Sequence, residues 1–246
     1  MSIAIGNYGN ETIALLQWAL ENSLSLSYVV SIDTGFAAES WRERQLQGEA
    51  FAMRSGFKPI LLKPLASFSE LIFDRKQFPD KKHQWCTAML KGIPLNHWLD
   101  SIDPNCEAVV VLGKWRKSSR ALSELPEMIE ESEHYQGRKV WHPLFLHEKS
   151  ELDALVERAG FSVLPHRSLE CDPCIHNTMS DFQRISLQDI NKTRNLEEVA
   201  QQIMFEEYGQ GIDSAVQSAK QHGKVTEKNY NGTFYNGCGS PWGCGL

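Results

Sequence analysis

Short apolar runs alternate with stretches of helical period from residue 2 to residue 159, and this alternation constrains the fold more than any other feature of the chain. Residues 2–6, 26–32, 59–63, 108–112 and 140–145 read as strands; residues 10–22, 38–55, 68–75, 87–99 and 149–159 read as helices. In the first helix Ile13, Leu15, Leu16 and Leu20 share a face, as packing on a sheet requires. Gly56 stands where the second helix should stop. The strands are continuous apolar runs, not apolar–polar alternations, which is the pattern of a parallel sheet covered by helices on both faces. A doubly wound α/β sheet of this kind takes its ligands beyond the carboxyl ends of the strands, where the strand order reverses. Three loops qualify by that rule: residues 6–12, 33–40 and 113–120.

Each loop carries residue types suited to a phosphorylated ligand. In Gly6-Asn7-Tyr8-Gly9-Asn10-Glu11-Thr12, glycines let the backbone approach a phosphate and the following helix offers free amides. The spacing fits neither the dinucleotide fingerprint nor the Walker A loop, and a plain strand–turn–helix capped by Asn10 is an equal reading. Asp33-Thr34-Gly35 suits ribose hydroxyls or a metal, and equally a helix-capping turn. In the third loop Gly113 is followed by Lys114, Arg116, Lys117 and Arg120 with two serines, a set matched to an anion or to a solvated face.

Composition narrows the partners. The 246 residues carry a formal net charge of −6, which argues against strong unaided binding to nucleic acid. The first strand opens at Ser2, which leaves no room for a signal peptide, and no apolar run is long enough for a bilayer; the expected location is the cytoplasm, with no membrane contact. Six cysteines, Cys86, Cys106, Cys171, Cys174, Cys238 and Cys244, are then better suited to metal or redox chemistry than to disulfides. Cys171-Asp172-Pro173-Cys174 is a CxxC pair, for which a redox dithiol is the rival to metal binding. Near residue 165 the texture changes: helices are expected over 178–188 and 194–207, followed by a Gly- and Asn-rich tail over 229–246. We therefore divide the chain into an α/β domain, 1–165, and a cysteine-bearing helical extension with its tail, 166–246, packed on it.

Taken together these pieces resemble the phosphoadenosine phosphosulfate (PAPS) reductase family, in the PP-loop ATP pyrophosphatase superfamily, over roughly residues 2–177. The family's loop is usually Ser-Gly-Gly-Lys-Asp-Ser or Ser-Tyr-Gly-Lys-Asp-Ser. Here Gly9 and the hydroxyl of Thr12 are kept, Glu11 replaces the aspartate and Asn10 the lysine; loops of the Phe-Gly-Asn-Asp-Ser type occur in one branch. Asp33-Thr34-Gly35 with Glu39 is similar to the family's Asp-Thr-Gly…Glu-Thr. Gly113 to Arg120 is similar to Gly-x-Arg-Arg-x-x-Ser…Arg, with Trp115 at the first arginine. Cys86 with Lys91 and Pro94-Leu95 is similar to Cys-Cys-x-x-Arg-Lys-x-x-Pro-Leu, with Thr87 at the second cysteine. Cys171 and Cys174 resemble the later CxxC of cluster-bearing members.

The resemblance implies a Rossmann-like fold of the adenine nucleotide alpha hydrolase type. It implies nucleotide binding by Gly6, Asn7, Tyr8, Gly9, Asn10, Glu11, Thr12, Asp33, Thr34, Gly35 and Gly113, with Arg116 and Arg120 stabilising charge. ATP with Mg²⁺ is the implied substrate. A 4Fe-4S cluster, or zinc in its place, is implied on Cys86, Cys171 and Cys174, with Cys238 or alternatively Cys244 as fourth ligand; the remaining tail cysteine, Cys244 in the first arrangement, would carry sulfur or redox chemistry. The implied activity is an ATP pyrophosphatase that activates a substrate for sulfur insertion. The branch most similar is the DNA phosphorothioation proteins of the DndC and SspD type, which belong to bacterial modification and anti-phage defence. This implies a cysteine desulfurase as sulfur donor, other DNA-modification proteins as partners, DNA gripped largely through them, and a homodimer. Two alternatives stay open: a PAPS or adenylylsulfate reductase using a thiol reductant, and a nucleotide-binding scaffold subunit. A tRNA-thiolating pyrophosphatase is a further relative of the same reading.

Overall fold

The computed structural model describes residues 1–221, so Cys238 and Cys244 lie outside the described residues. In chain order the elements are β1 (Ser2–Ile5), α1 (Asn10–Glu21), β2 (Tyr28–Ile32), α2 (Trp41–Arg54), β3 (Lys58–Leu62), α3 (Phe68–Arg75), α4 (Trp85–Thr87), a π-helical turn (Ala88–Gly92), α5 (Ile93–Ile102), β4 (Val109–Val111), β5 (Met128–Ile129), β6 (Lys139–Trp141), α6 (Lys149–Arg158), α7 (Met179–Arg184), α8 (Leu187–Ala200) and α9 (Ile212–Gln221). The strands form one sheet in the order β3-β2-β1-β4-β6-β5. All neighbours are parallel except β5, which pairs antiparallel with β6. The chain winds outward from β1 through β2 to β3, then returns to the other side of β1 with β4. The order therefore reverses between β1 and β4, which makes the space beyond their carboxyl ends the natural ligand crevice.

Successive strand residues point to opposite faces, and both faces are covered. Ala4, Val29 and Val111 pack with Ile13 and Leu16 of α1 and with Leu155 and Val156 of α6. Ile3, Val30, Val110 and Val140 pack with Leu95 and Leu99 of α5. Each such fully buried aliphatic side chain contributes about 1.5–3 kcal/mol. This two-sided burial is why the strands read as unbroken apolar runs. A third cluster joins α3 to α7 and α9 through Phe68, Ile72, Phe182 and Ala215, and it holds Cys86 and Cys174.

Local signals set several boundaries where the sequence places them. Ser67 caps α3 reciprocally with Glu70, so the helix runs Phe68–Arg75. Gly56 follows α2 at φ 80°, a left-handed position that favours glycine. Elsewhere the boundaries move. The strand expected over 140–145 stops at Trp141, because Phe145 N donates to His142 O at 3.1 Å and closes a turn. The helices expected over 178–188 and 194–207 divide differently. Ser186 Oγ accepts from Asp189 N at 3.0 Å and starts α8 at Leu187; the helix ends at Ala200, where Gln201 takes φ 52°. Helix α9 was not read from the sequence, although Ile212, Ala215, Val216 and Ala219 give it one buried stripe. Among the described residues no helix is long and apolar enough to cross a membrane.

After α6 the chain returns to the strand ends. Ala38 N donates to Leu169 O and Asp172 N to Phe36 O, both at 2.9 Å. Thr34 Oγ1 donates to Glu170 O at 2.6 Å. Residues 168–172 thus run beside the loop that follows β2, with Phe36 and Cys171 bridged in parallel, and the CxxC pair is delivered next to the crevice.

Candidate nucleotide site

A cleft opens at the carboxyl ends of β1, β2 and β4. Gly6, Asn7, Glu11 and Thr12 line one wall, Gly113 and Lys114 the opposite wall, with Lys91 and Glu170 beside them. The loop after β1 is rigidly built. Asn7 N donates to Thr12 Oγ1 at 3.1 Å, Asn7 Nδ2 donates to Ser168 Oγ at 2.8 Å, and Asn7 Oδ1 accepts from Gly9 N at 3.0 Å. A Cβ added at Gly6 would lie 2.1 Å from Thr12 Oγ1, so only glycine leaves that hydroxyl in place. Gly113 is equally tight: its Cβ would lie 2.5 Å from the Glu11 carbonyl oxygen. The two strand-end loops are therefore held in direct contact across the point where the strand order reverses.

The other loop residues face elsewhere. Tyr8 takes φ 61° and buries its ring against Gly48, where an added Cβ would come within 2.3 Å of Cδ1. Asn10 pairs with the backbone of Leu164 in both directions: Nδ2 donates to the carbonyl at 2.9 Å, and Oδ1 accepts from the amide at 3.0 Å. Tyr8, Gly9 and Asn10 do not line the cleft. A second, smaller cleft shares Asn7, Ile32 and Glu170 with the first and adds Asp33, Trp41 and Gln45. Asp33 Oδ1 accepts from Gly35 N at 3.0 Å, so it both caps its turn and borders this cleft. Thr34 is fully buried and is used by its bond to Glu170 O. Gly35, at φ 70°, packs on Ser67; it and Thr34 stand outside both clefts.

The basic loop after β4 splits its charges. Its backbone turns into a short 3₁₀ helix, Arg116–Ser118. Trp115 goes into the α1–α6 core and Lys114 into the cleft. Arg116 is directed away: its Nε donates to Leu125 O at 2.7 Å, and its guanidinium lies 5.1 Å from the Phe145 ring centroid. Lys117 pairs with Glu148, and Arg120 is exposed on the next turn. Arg116 and Arg120, expected from the sequence to stabilise charge, do not line the cleft. Lys91, Lys114 and Glu170 do; the sequence offers Lys114 only as one of four basic residues in an anion-matched loop and does not point to Lys91 or Glu170 for this cleft. The available signal was Lys114's place directly after the glycine that ends a strand.

Burial sets the ionisation of these groups. It pushes the Glu11 carboxyl up to about 6, against the opposing pull of Trp115 and Lys149. It brings the Lys114 ammonium down to about 8. His142 is brought down to about 4 by burial, with the nearby charge of Lys114 adding to the effect, so it is neutral near pH 7. Lys91 and Glu170 form a buried ion pair. Lys114 is 5% exposed, and no hydrogen bond or ion pair to it is found among the described residues.

The clustered cysteines lie on two segments, Cys86 in α4 and the CxxC pair ahead of α7. Cys86 and Cys174 are buried in one cluster, and Cys171 packs against it. Around them Trp85 Nε1, Thr87 Oγ1 and both ring nitrogens of His176 are buried without hydrogen-bond partners among the described residues. Thiols with orphaned polar neighbours suit a soft metal centre. Among the described residues, however, no three His, Cys, Asp or Glu side chains stand close enough to hold a metal ion. Cys106 is half-buried, at φ 56°, before β4, away from this cluster.

No protein-family model matches the chain, and no curated protein matches it. Solved structures do. The U34-tRNA thiolase NcsA from Methanococcus maripaludis, solved with its 4Fe-4S cluster, aligns with a TM-score of 0.50 at 15% identity over 90% of this chain and 72% of that one. A PAPS reductase from Candida auris, solved as a phosphate complex, aligns with a TM-score of 0.46 at 16% identity over 66% of this chain and 74% of that one. Sheet order, two-sided burial and the thiolase alignment agree: the chain has a Rossmann-like, doubly wound α/β fold shared with that thiolase.

Proposed function

We propose that the cleft holds the phosphates of ATP and that the protein is an ATP pyrophosphatase of the PP-loop type, activating an acceptor for sulfur insertion. The observation that carries this reading is the meeting of two glycine-ended strand loops and a buried lysine where the strand order reverses. Gly6 and Gly113 let the two strand-end loops close on Thr12 and Glu11, and those two residues of the first turn of α1 line the same space, where a helix N-terminus suits a phosphate. Asp33 borders the adjoining cleft and is our candidate for the ribose hydroxyls. An acceptor oxygen attacks the α-phosphorus, the bond to the bridging oxygen breaks, and pyrophosphate leaves with that electron pair. The terminal sulfur of a protein persulfide then attacks the adenylated acceptor and AMP leaves with the electron pair of the broken bond. A second thiolate attacks the carrier sulfur of the resulting S–S link, which releases the sulfurated acceptor and leaves a disulfide for an external thiol reductant. The protein's share is positioning and charge stabilisation; Mg²⁺, when bound, neutralises phosphate charge. The acceptor we favour is the DNA backbone, as in phosphorothioation, with a cysteine desulfurase supplying sulfur. The net charge of −6 supports a division of labour in which partners grip the DNA.

The test is product identification. Anaerobically purified protein is incubated with Mg²⁺ and ATP, and in parallel with PAPS and thioredoxin. AMP and pyrophosphate from ATP, with PAPS untouched, are expected. Sulfite and adenosine bisphosphate from PAPS would replace this reading by a reductase. Nucleotide binding without turnover, even with partner proteins and DNA present, would leave a scaffold subunit.

In the same reading Cys86, Cys171 and Cys174 would hold an iron–sulfur cluster once drawn together with Cys238 or Cys244, since the described residues alone bring no three such ligands within reach of one metal ion; bound, it would supply sulfur-handling or redox chemistry. The burial of Cys86 and Cys174 in one apolar cluster with Cys171 packed on it supports this. Iron and acid-labile sulfide are expected in the anaerobic protein and are expected to be lost in C86S, C171S and C174S variants that keep the wild-type far-ultraviolet spectrum. Metal-free wild-type protein would contradict it.

A further inference from the structure

The cleft contains two lysines in opposite situations. Lys91 has its carboxylate, Glu170, beside it. Lys114 is as deeply buried, at 5% exposure, yet among the described residues it has neither ion pair nor hydrogen bond. Its ammonium reaches the cleft, not a partner among the described residues, and a cation held at so low an exposure is costly unless a ligand in the cleft supplies the opposite charge. The opposite wall needs that charge. The loop Gly6-Asn7-Tyr8-Gly9-Asn10-Glu11-Thr12 contains no lysine or arginine. The polar residue at the start of α1, Asn10, has both side-chain atoms committed to Leu164. Among the described residues the cleft thus has Gly6, Asn7, Glu11 and Thr12 from the loop after β1 and one cation without a protein partner, Lys114, from the loop after β4.

We propose that Lys114 is the anion-gripping residue of this site, binding the polyphosphate end of the ligand from the β4 loop across the cleft from Gly6, Asn7 and Thr12. This rests on the reading of the cleft as a phosphate site and adds to it the residue that sets the preference for a charged, phosphate-rich ligand. Glu11 and Glu170 border the same space. Glu170 is paired with Lys91, so among the described lining residues Lys114 is the cation that offsets Glu11, and without it the lining presents a net negative charge to an incoming phosphate.

The experiment is calorimetric titration of wild type, K114Q, K114M and K114R with adenosine, ATP and inorganic pyrophosphate, the last two with Mg²⁺. Loss of one charge-assisted contact is expected to weaken ATP and pyrophosphate about thirtyfold in K114Q and K114M. Adenosine affinity is expected to change less than about threefold, and K114R to keep phosphate affinity within about tenfold of wild type. Removing an unpaired buried charge should also raise the melting temperature of ligand-free K114M by about 4 °C, so poor folding does not account for lost binding. Equal ATP and pyrophosphate affinity in wild type and K114Q would overturn the proposal while leaving the site reading intact. Failure of wild type to bind either would overturn the site reading, and this proposal with it.

Discussion

Replacing Gly113 with alanine is expected to reduce nucleotide turnover by at least about a hundredfold, the scale of a displacement near 1 Å at a reacting centre. The new Cβ would lie 2.5 Å from the Glu11 carbonyl oxygen, 3.0 Å from its carbon and 3.3 Å from Glu11 Cβ. Two of these atoms are backbone in the first turn of α1, so no rotamer change relieves the clash. Either the β4 loop or the start of α1 must move, and both walls of the cleft are anchored to those two pieces. Overpacking of this kind also destabilises by about 1–3 kcal/mol. Gly160→Ala is the control. Gly160 has φ 83° with nothing within 4 Å of an added Cβ, so it should lose about 1 kcal/mol through backbone strain and keep wild-type kcat/KM. Parallel measurement of thermal melting and kcat/KM separates the two effects.

The largest expected loss of stability is at Arg138, which has no exposed surface. Its Nε donates to Asp103 Oδ2 at 2.8 Å, Nη2 to Asp103 O at 2.6 Å, and Nη1 to Tyr135 O at 3.3 Å. Asp103 in turn accepts from Glu107 N at 3.1 Å and Ala108 N at 3.0 Å. The pair therefore ties the end of α5 and the entry to β4 to the start of β6. Arg138→Met would fill the space and leave Asp103 buried without its cation. We expect a loss of about 3–5 kcal/mol, seen as a fall in melting temperature of about 10 °C. The pH dependence follows from Asp103. Burial pushes its carboxyl up, but hydrogen bonds from Ala108 N, Arg138 and Glu107 N outweigh that and hold it below the usual range. Its contribution is thus present above the unfolded carboxylate pKa of about 3.9 and is lost as pH falls through the lower folded value. In Arg138→Met the folded value rises, and acid unfolding should begin at higher pH. An unchanged acid transition would show that Asp103 draws its stabilisation from the backbone amides alone.

How much of this was readable beforehand depended on the range of the interaction. Strand runs such as Val109–Val111, the helical stretch 68–75 and the stop at Gly56 are local, so the doubly wound sheet and several helix limits follow from the sequence. The reversal between β1 and β4 depends on non-local pairing, and it decides which loops face each other. The loops after β1 and β4 were selected from the sequence, but the direction of each side chain was not. One residue's difference along an extended stretch sends Lys114 into the cleft and Trp115 into the core. Arg116 looked better suited to a phosphate by chemistry alone, yet it is spent on Leu125 O and Phe145. Asn10 was read as a loop residue near phosphate; its partner, Leu164, lies 154 residues further along the chain, and no local pattern announces it. Glu170 was likewise hidden, because its place depends on residues 168–172 running beside the loop after β2.

The central claim is that phosphate binds between the loops after β1 and β4. Backbone hydrogen exchange followed by mass spectrometry, with and without Mg²⁺-ATP, tests it most directly. Binding at the cleft should slow exchange in peptides covering residues 5–13 and 112–116, with smaller changes over 166–172, whose segment is tied to Asn7 and Thr34. ATP binding that leaves both strand-end loops unprotected, or protects only surfaces remote from β1 and β4, would contradict the account.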